Sequence, residues 1–199
     1  MPIASIAVPA CLLLCLVLGC QRGKEQAVVI EPGAVRAYDQ ASPVDPFGAG
    51  SGAYAALRDA TNSALALSWS GELDDFAPWL EEETAFVERA LALLKALRVG
   101  DGDVYAVANG RIAMVYERIA TALTQASAEA EAAGFDADWK DQEGRLWEQA
   151  NAFWARCARG CSTGGPHLDA WDLRCRAGLA TSQAKRTPSP EIKSPRQHK

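Results

Sequence analysis

Cys157, Cys161, His167 and Cys175 bring three thiols and an imidazole into one short stretch of the sequence, enough donors in principle for a tetrahedral zinc ion. The spacing C-x3-C-x5-H-x7-C matches no common zinc module, and the Cys-Ala-Arg-Gly-Cys run lacks the C-x-x-C-H pattern of covalent haem attachment. No metal and no cofactor is therefore expected. Nucleophilic catalysis needs a base beside the nucleophile, and the two histidines are His167, next to a turn, and His198, in a basic tail. Two carboxylates suffice for glycoside hydrolysis, and Glu83, Glu88, Glu117, Glu143 and Glu148 are the candidates. Context singles out no pair among them, and charges on solvated helix faces explain them as well. No catalytic residue is assigned, and a Glu-x-x-His pair of the kind that builds di-iron bundles does not occur.

The N-terminal Ile3 to Gly19 is an apolar run centred on Leu12-Leu13-Leu14-Cys15-Leu16-Val17-Leu18, of signal-peptide size. It ends Val17-Leu18-Gly19-Cys20: an aliphatic residue, a tolerant position, a small residue, then cysteine. These four residues resemble the lipobox of bacterial lipoproteins. The resemblance implies that Cys20 takes a diacylglyceryl group and becomes residue one after cleavage, so that fatty chains and not a membrane helix hold the protein to the bilayer. Gln21, in place of an aspartate after the cysteine, points to the outer membrane, with the domain facing the periplasm. An ordinary cleaved leader and an uncleaved anchor are the alternatives.

With Cys11 and Cys15 removed and Cys20 acylated, Cys157, Cys161 and Cys175 remain. In an oxidising compartment one disulfide is expected, and Cys157 with Cys175 is the favoured pair. A chain that turns back near Gly164 sets those two on facing helices, while Cys161 lies close to the turn.

The elements that position these residues read as helices. Residues 20–51, with Pro32, Pro43, Pro46 and the Gly48-Ala49-Gly50-Ser51-Gly52 run, read as a tether. A first helix follows Ser51, with Tyr54, Leu57, Thr61, Ala64, Leu65 and Ser68 inward, and is expected to stop near Ser70-Gly71. A second starts after Asp75 on the stripe Trp79, Phe86, Ala90, Leu93, Leu94 and Leu97. A third, from Asp101 or Asp103 to Gly134, is expected to kink or break at Asn109-Gly110, because interior glycine costs roughly 1 kcal/mol. A fourth opens at Asp136 or Asp138 and carries Trp139, Leu146 and Phe153 in one row beside Trp147 and Trp154. A short fifth spans about Leu168 to Leu179, and residues 181–199 read as a disordered basic tail. Short links make neighbouring helices antiparallel, so the fold class is all-α, an up-and-down bundle over 52–180 of about four helices plus a short C-terminal one.

The net charge is −5, and the tail carries five Lys or Arg against Glu191, which leaves −9 on the rest. Phosphate binding needs a basic face, so nucleic acid is excluded as a partner of the bundle. Tryptophans at heptad spacing read as core. The expected role is a lipid-anchored interaction or structural domain with an envelope protein as partner. A glycan-acting enzyme and a metal or small-ligand binder are the alternatives.

Overall fold

The computed structural model describes residues 42–48, 52–97, 102–135 and 139–186, all within the unit Glu31–Lys199. The leader, Cys20, the tether as far as residue 41, Ser51, Asp101, the Asp136 and Asp138 helix start, and the tail after Arg186 lie outside the described residues. Those described form α1 (Gly52–Ala66), α2 (Leu73–Ala96), α3 (Gly102–Ala132), α4 (Lys140–Cys161) and α5 (Asp169–Arg186), the last entered through a 3-10 turn at Pro166–Leu168. No strand occurs among them, and the fold is an all-α bundle.

Contacts between helices fix the directions. Ala106, Gly110 and Tyr116 of α3 meet Gly160, Cys157 and Phe153 of α4, so numbers rise on one helix as they fall on the other. Cys157, Trp154 and Asn151 of α4 meet Cys175, Gly178 and Ser182 of α5 in the same antiparallel sense. The α3 helix packs against all four others. Its buried residues accordingly run without a break from Ala106 to Tyr116, where a one-sided helix would alternate.

This central place overturns the expected break at Asn109-Gly110: α3 is continuous there. A Cβ on Gly110 would lie 2.7 Å from Cys157 Sγ and 2.9 Å from the Trp171 ring, so the glycine lets the disulfide and an indole close onto the helix axis. Packing of this density outweighs the propensity cost. Gly178 does the same for Trp154, 2.2 Å from where its Cβ would stand.

Three further boundaries differ from expectation. The buried stripe of α2 is Phe76, Trp79, Glu83, Val87, Ala90 and Leu94; Phe86, Leu93 and Leu97 are half-buried, because the helix is turned to carry Glu83 inward toward Arg118. The C-terminal helix continues to Arg186, so residues 181–186 are not tail. Ser182 is fully buried and bonded to Asn151 and to the Leu179 carbonyl, and Arg186 donates to Asn151 Oδ1 at 2.8 Å. Lys185 and Arg186 also suit the negative end of the helix dipole. Third, the final part of the expected tether, residues 42–48, lies on the bundle, since Trp171 Nε1 donates to the Val44 carbonyl at 3.2 Å and Asp45 pairs with Arg111. Trp147, Trp154 and Trp171 are buried core residues.

Candidate functional site

A groove of about 530 Å³ opens where the α1–α2 link, α2, α3 and α5 converge. Its walls include Trp69, Trp79 and Met114, with Thr121 and Gln125 about two and three turns farther along α3 and Arg118 and Arg174 contributing guanidinium groups. The indoles belong to a longer aromatic series. Trp139 stacks on Phe76 at 5.8 Å between centroids, Phe76 on Trp79 at 5.8 Å, and Trp69 meets Phe76 edge-on at 5.1 Å. Trp69 is half-buried and held by its Nε1–H to the Glu72 carbonyl at 2.8 Å, so the link is pinned in the shape that forms the groove. Arg118 lies over Trp79, 6.0 Å from the ring centroid.

The charges around the groove are paired but under-solvated. Glu83 is fully buried, with Arg118 Nε 3.1 Å from Oε1. Burial raises its pKa to about 7 against the lowering pull of Arg118, and Glu82 adds a smaller upward push. Neither Glu83 oxygen accepts a hydrogen bond of good geometry. Arg174 sits 4.4 Å over Trp154 and gives one bond to Glu117 Oε2 at 3.0 Å, while its buried Nε has no partner, and nor does Trp79 Nε1. Buried polar atoms of native proteins are nearly always satisfied; these are exceptions, and Asn109 Oδ1 and Trp154 Nε1, away from the groove lining, are others.

The raised pKa has a sign. The folded state holds the Glu83 proton more tightly than the unfolded chain, so its contribution is full below about pH 4.5 and is lost as pH rises through about 7. The difference in unfolding free energy between wild type and Glu83→Gln should therefore fall by roughly 3 kcal/mol from pH 4.5 to pH 8. Urea titrations across that range measure it, and a difference that stays constant would contradict the assignment.

A second polar centre lies at Arg111, buried in α3. Its guanidinium pairs with Asp45 Oδ2 at 2.8 Å, donates to Asn62 Oδ1 at 3.1 Å and to the Tyr54 hydroxyl at 3.4 Å, and lies 5.4 Å from the Trp171 centroid. Tyr54 in turn donates to Asp45 at 2.9 Å, and burial pushes its pKa up to about 12. All these groups are satisfied by one another. The arrangement closes residues 42–48 onto the bundle and leaves no donor facing outward.

The structure joins Cys157 to Cys175, with Cα atoms 5.7 Å apart, and leaves Cys161 as a buried thiol 3.9 Å from Cys157 Sγ. The three sulfurs lie within 4.8 Å of one another. His167 is not of that group: its Nε2 is 3.3 Å from Asp103 and its ring faces Phe47. With two sulfurs bonded to each other they are not thiolate ligands, and burial, then Asp172 and Asp103, push the Cys161 thiol up to about 12.

Comparison with family models, with curated proteins and with solved structures gives no match to this chain. The site therefore speaks through its own geometry. Of the five candidate carboxylates, Glu83 is enclosed, Glu117 lines the groove tied to Arg174, Glu143 accepts from Trp147 Nε1 at 3.3 Å, Glu148 is near Arg186 at the surface, and Glu88 is exposed. The residues that sequence reasoning passed over are Trp69, Arg118 and Arg174, drawn from a link and two helices far apart in the chain. One signal was present: an acidic residue, Glu83, at helical spacing among Phe76, Trp79, Val87, Ala90 and Leu94 demands a buried cation.

Proposed function

We propose that this chain is a lipid-anchored protein of the bacterial cell envelope, held by acylated Cys20 in the outer membrane and facing the periplasm, whose helical bundle is a non-enzymatic binding module. The groove carries the reading: the half-buried Trp69 and the partly exposed Arg118, beside Thr121 and Gln125, form a recognition surface. Two further observations support it. Val17-Leu18-Gly19-Cys20 resembles a lipobox, whose acyl chains would hold the protein to a bilayer, and among the described residues no helix is long and apolar enough to cross a membrane. Glu117 is neutralised by Arg174 and Glu83 is shut away from the groove, which suits binding better than acid–base work on a glycan.

Cys20→Ser should move the protein from the detergent phase to the aqueous phase while leaving its helical circular dichroism unchanged. Continued partition into detergent would contradict anchoring through that sulfur. For the module, a photo-crosslinking residue at Gln125, on the groove, should give discrete adducts in intact cells, whereas one at Ala92, exposed elsewhere on α2, should not. Equal labelling from the two positions would count against a binding groove.

A further inference from the structure

We propose that the groove takes a saccharide bearing a carboxylate, its ring against the half-buried Trp69 and its carboxylate toward Arg118. The inference rests on the binding-module reading and names its ligand class.

A sugar ring has one face of C–H groups and a perimeter of hydroxyls. The groove matches both: the half-buried Trp69 supplies indole surface, backed by the buried Trp79, and Thr121 and Gln125 supply hydroxyl and amide partners on α3. The charge selects further. Outside its tail the chain is strongly acidic, yet the groove lining holds two guanidinium groups against the single carboxylate of Glu117. Arg174 is paired with Glu117, so Arg118 is the cation left for a ligand carboxylate when its partner Glu83 holds a proton. A dianionic phosphate would face Glu117 directly and Glu83 behind Arg118, and repulsion from both would offset its attraction to the arginines.

Arg118 retains a donor for that carboxylate. It uses Nε toward Glu83 and Nη1 toward the Leu65 carbonyl, which leaves Nη2 on a side chain 30% exposed. Arg174 is engaged with Glu117 through Nη2, and its Nε is buried. A peptide is the weaker occupant. The groove is walled by helices together with Ser42 and Trp69 from the segments outside them, and among the described residues no strand offers an edge for main-chain pairing.

Glu83 makes the binding pH-dependent. The charged groups acting on it are Arg118 from α3 and Glu82 from its own helix. A ligand carboxylate arriving at Arg118 competes with Glu83 for the same cation, so the bound state favours protonated Glu83, whose pKa in the free protein is about 7. Affinity should be about tenfold higher at pH 6 than at pH 8.

The test titrates the full-length lipidated protein in detergent with tetragalacturonate and, separately, with its methyl ester, reading tryptophan fluorescence and isothermal heat. Saturable binding of the acid, at least tenfold weaker binding of the ester, and loss of a further tenfold or more in Trp69→Ala are expected. Glu83→Gln frees Arg118 of its competitor, so it should bind the acid about tenfold more tightly than wild type at pH 8 and show a flat pH profile. A gain of affinity does not arise from misfolding, which keeps the proposal falsifiable if Trp69→Ala is unstable. No saturable binding, equal binding of acid and ester, or affinities unmoved by both substitutions would overturn it. Should the acid fail while the Gln125 crosslink persists, the ligand class is wrong and the binding module stands; loss of both sinks the two together.

Discussion

Asp45→Ala should lower the stability of the bundle by about 3–5 kcal/mol, the cost of leaving a buried charge without its partner. The charge is Arg111, 3% exposed at the centre of the helix that touches every other. Asp45 supplies its only anionic contact among the described residues, with Asn62 and the Tyr54 hydroxyl as neutral acceptors. Removing the carboxylate also frees residues 42–48, which otherwise cover Trp171. The converse change is milder, because Asp45 is partly exposed and can be rehydrated once Arg111 is gone. Arg111→Met with Asp45→Ala should recover most of the loss, since apolar replacement of a buried pair is commonly neutral. Urea denaturation of the two single variants and the double variant measures this cycle. A loss below about 1 kcal/mol for Asp45→Ala would mean that the segment before α1 is not clamped in solution.

Reduction of the Cys157–Cys175 bond should cost about 3 kcal/mol, from the entropy that an 18-residue separation releases to the unfolded chain. For a bundle of this size that corresponds to a fall of roughly 10 °C in Tm. Both sulfurs are fully buried and Gly110 leaves them just enough room, so reduction should loosen α4 and α5 from α3 and not only from each other. Non-reducing peptide mass analysis should find Cys175 bonded to Cys157. Cys161, buried and with its thiol raised to about 12, should react with maleimide only after denaturation. Three thiols titratable in the native oxidised protein, or a Tm indifferent to reductant, would remove the staple from the account. Cys157→Ala with Cys175→Ala should reproduce the reduced Tm, which separates loss of the bond from side effects of the reductant.

The fold class was legible because it depends on local pattern. Apolar residues at helical spacing and the Gly164-Gly165-Pro166 turn each act within a few neighbouring residues, and they mark five helices with short links, although α2 starts at Leu73 and so carries Pro78 inside the helix and not in its first turn. Trp147 and Trp154 could be assigned to the core by the same periodicity. Gly110 misleads for the opposite reason. Its propensity speaks for a break, while the reason for a glycine there is an indole and a disulfide that arrive from residues 157–175, far along the chain. The same holds for Glu83, read from the sequence as a charge near a helix start and buried by its pairing with Arg118 on another helix.

The lipid-acceptor reading of Cys20 belongs to the sequence alone, since a cleavage signal is a linear pattern that needs no fold. Sequence also determined the helical class and the acidic balance of the chain outside its last nineteen residues. Only the tertiary structure decided that Trp69, Trp79, Arg118 and Arg174 share one groove, that Asp45 closes on Arg111, and which carboxylates are enclosed. The physical reason is range: helix formation and charge balance are set by near neighbours and by sums, whereas a recognition site is set by which helix faces meet, and that follows from close packing around α3.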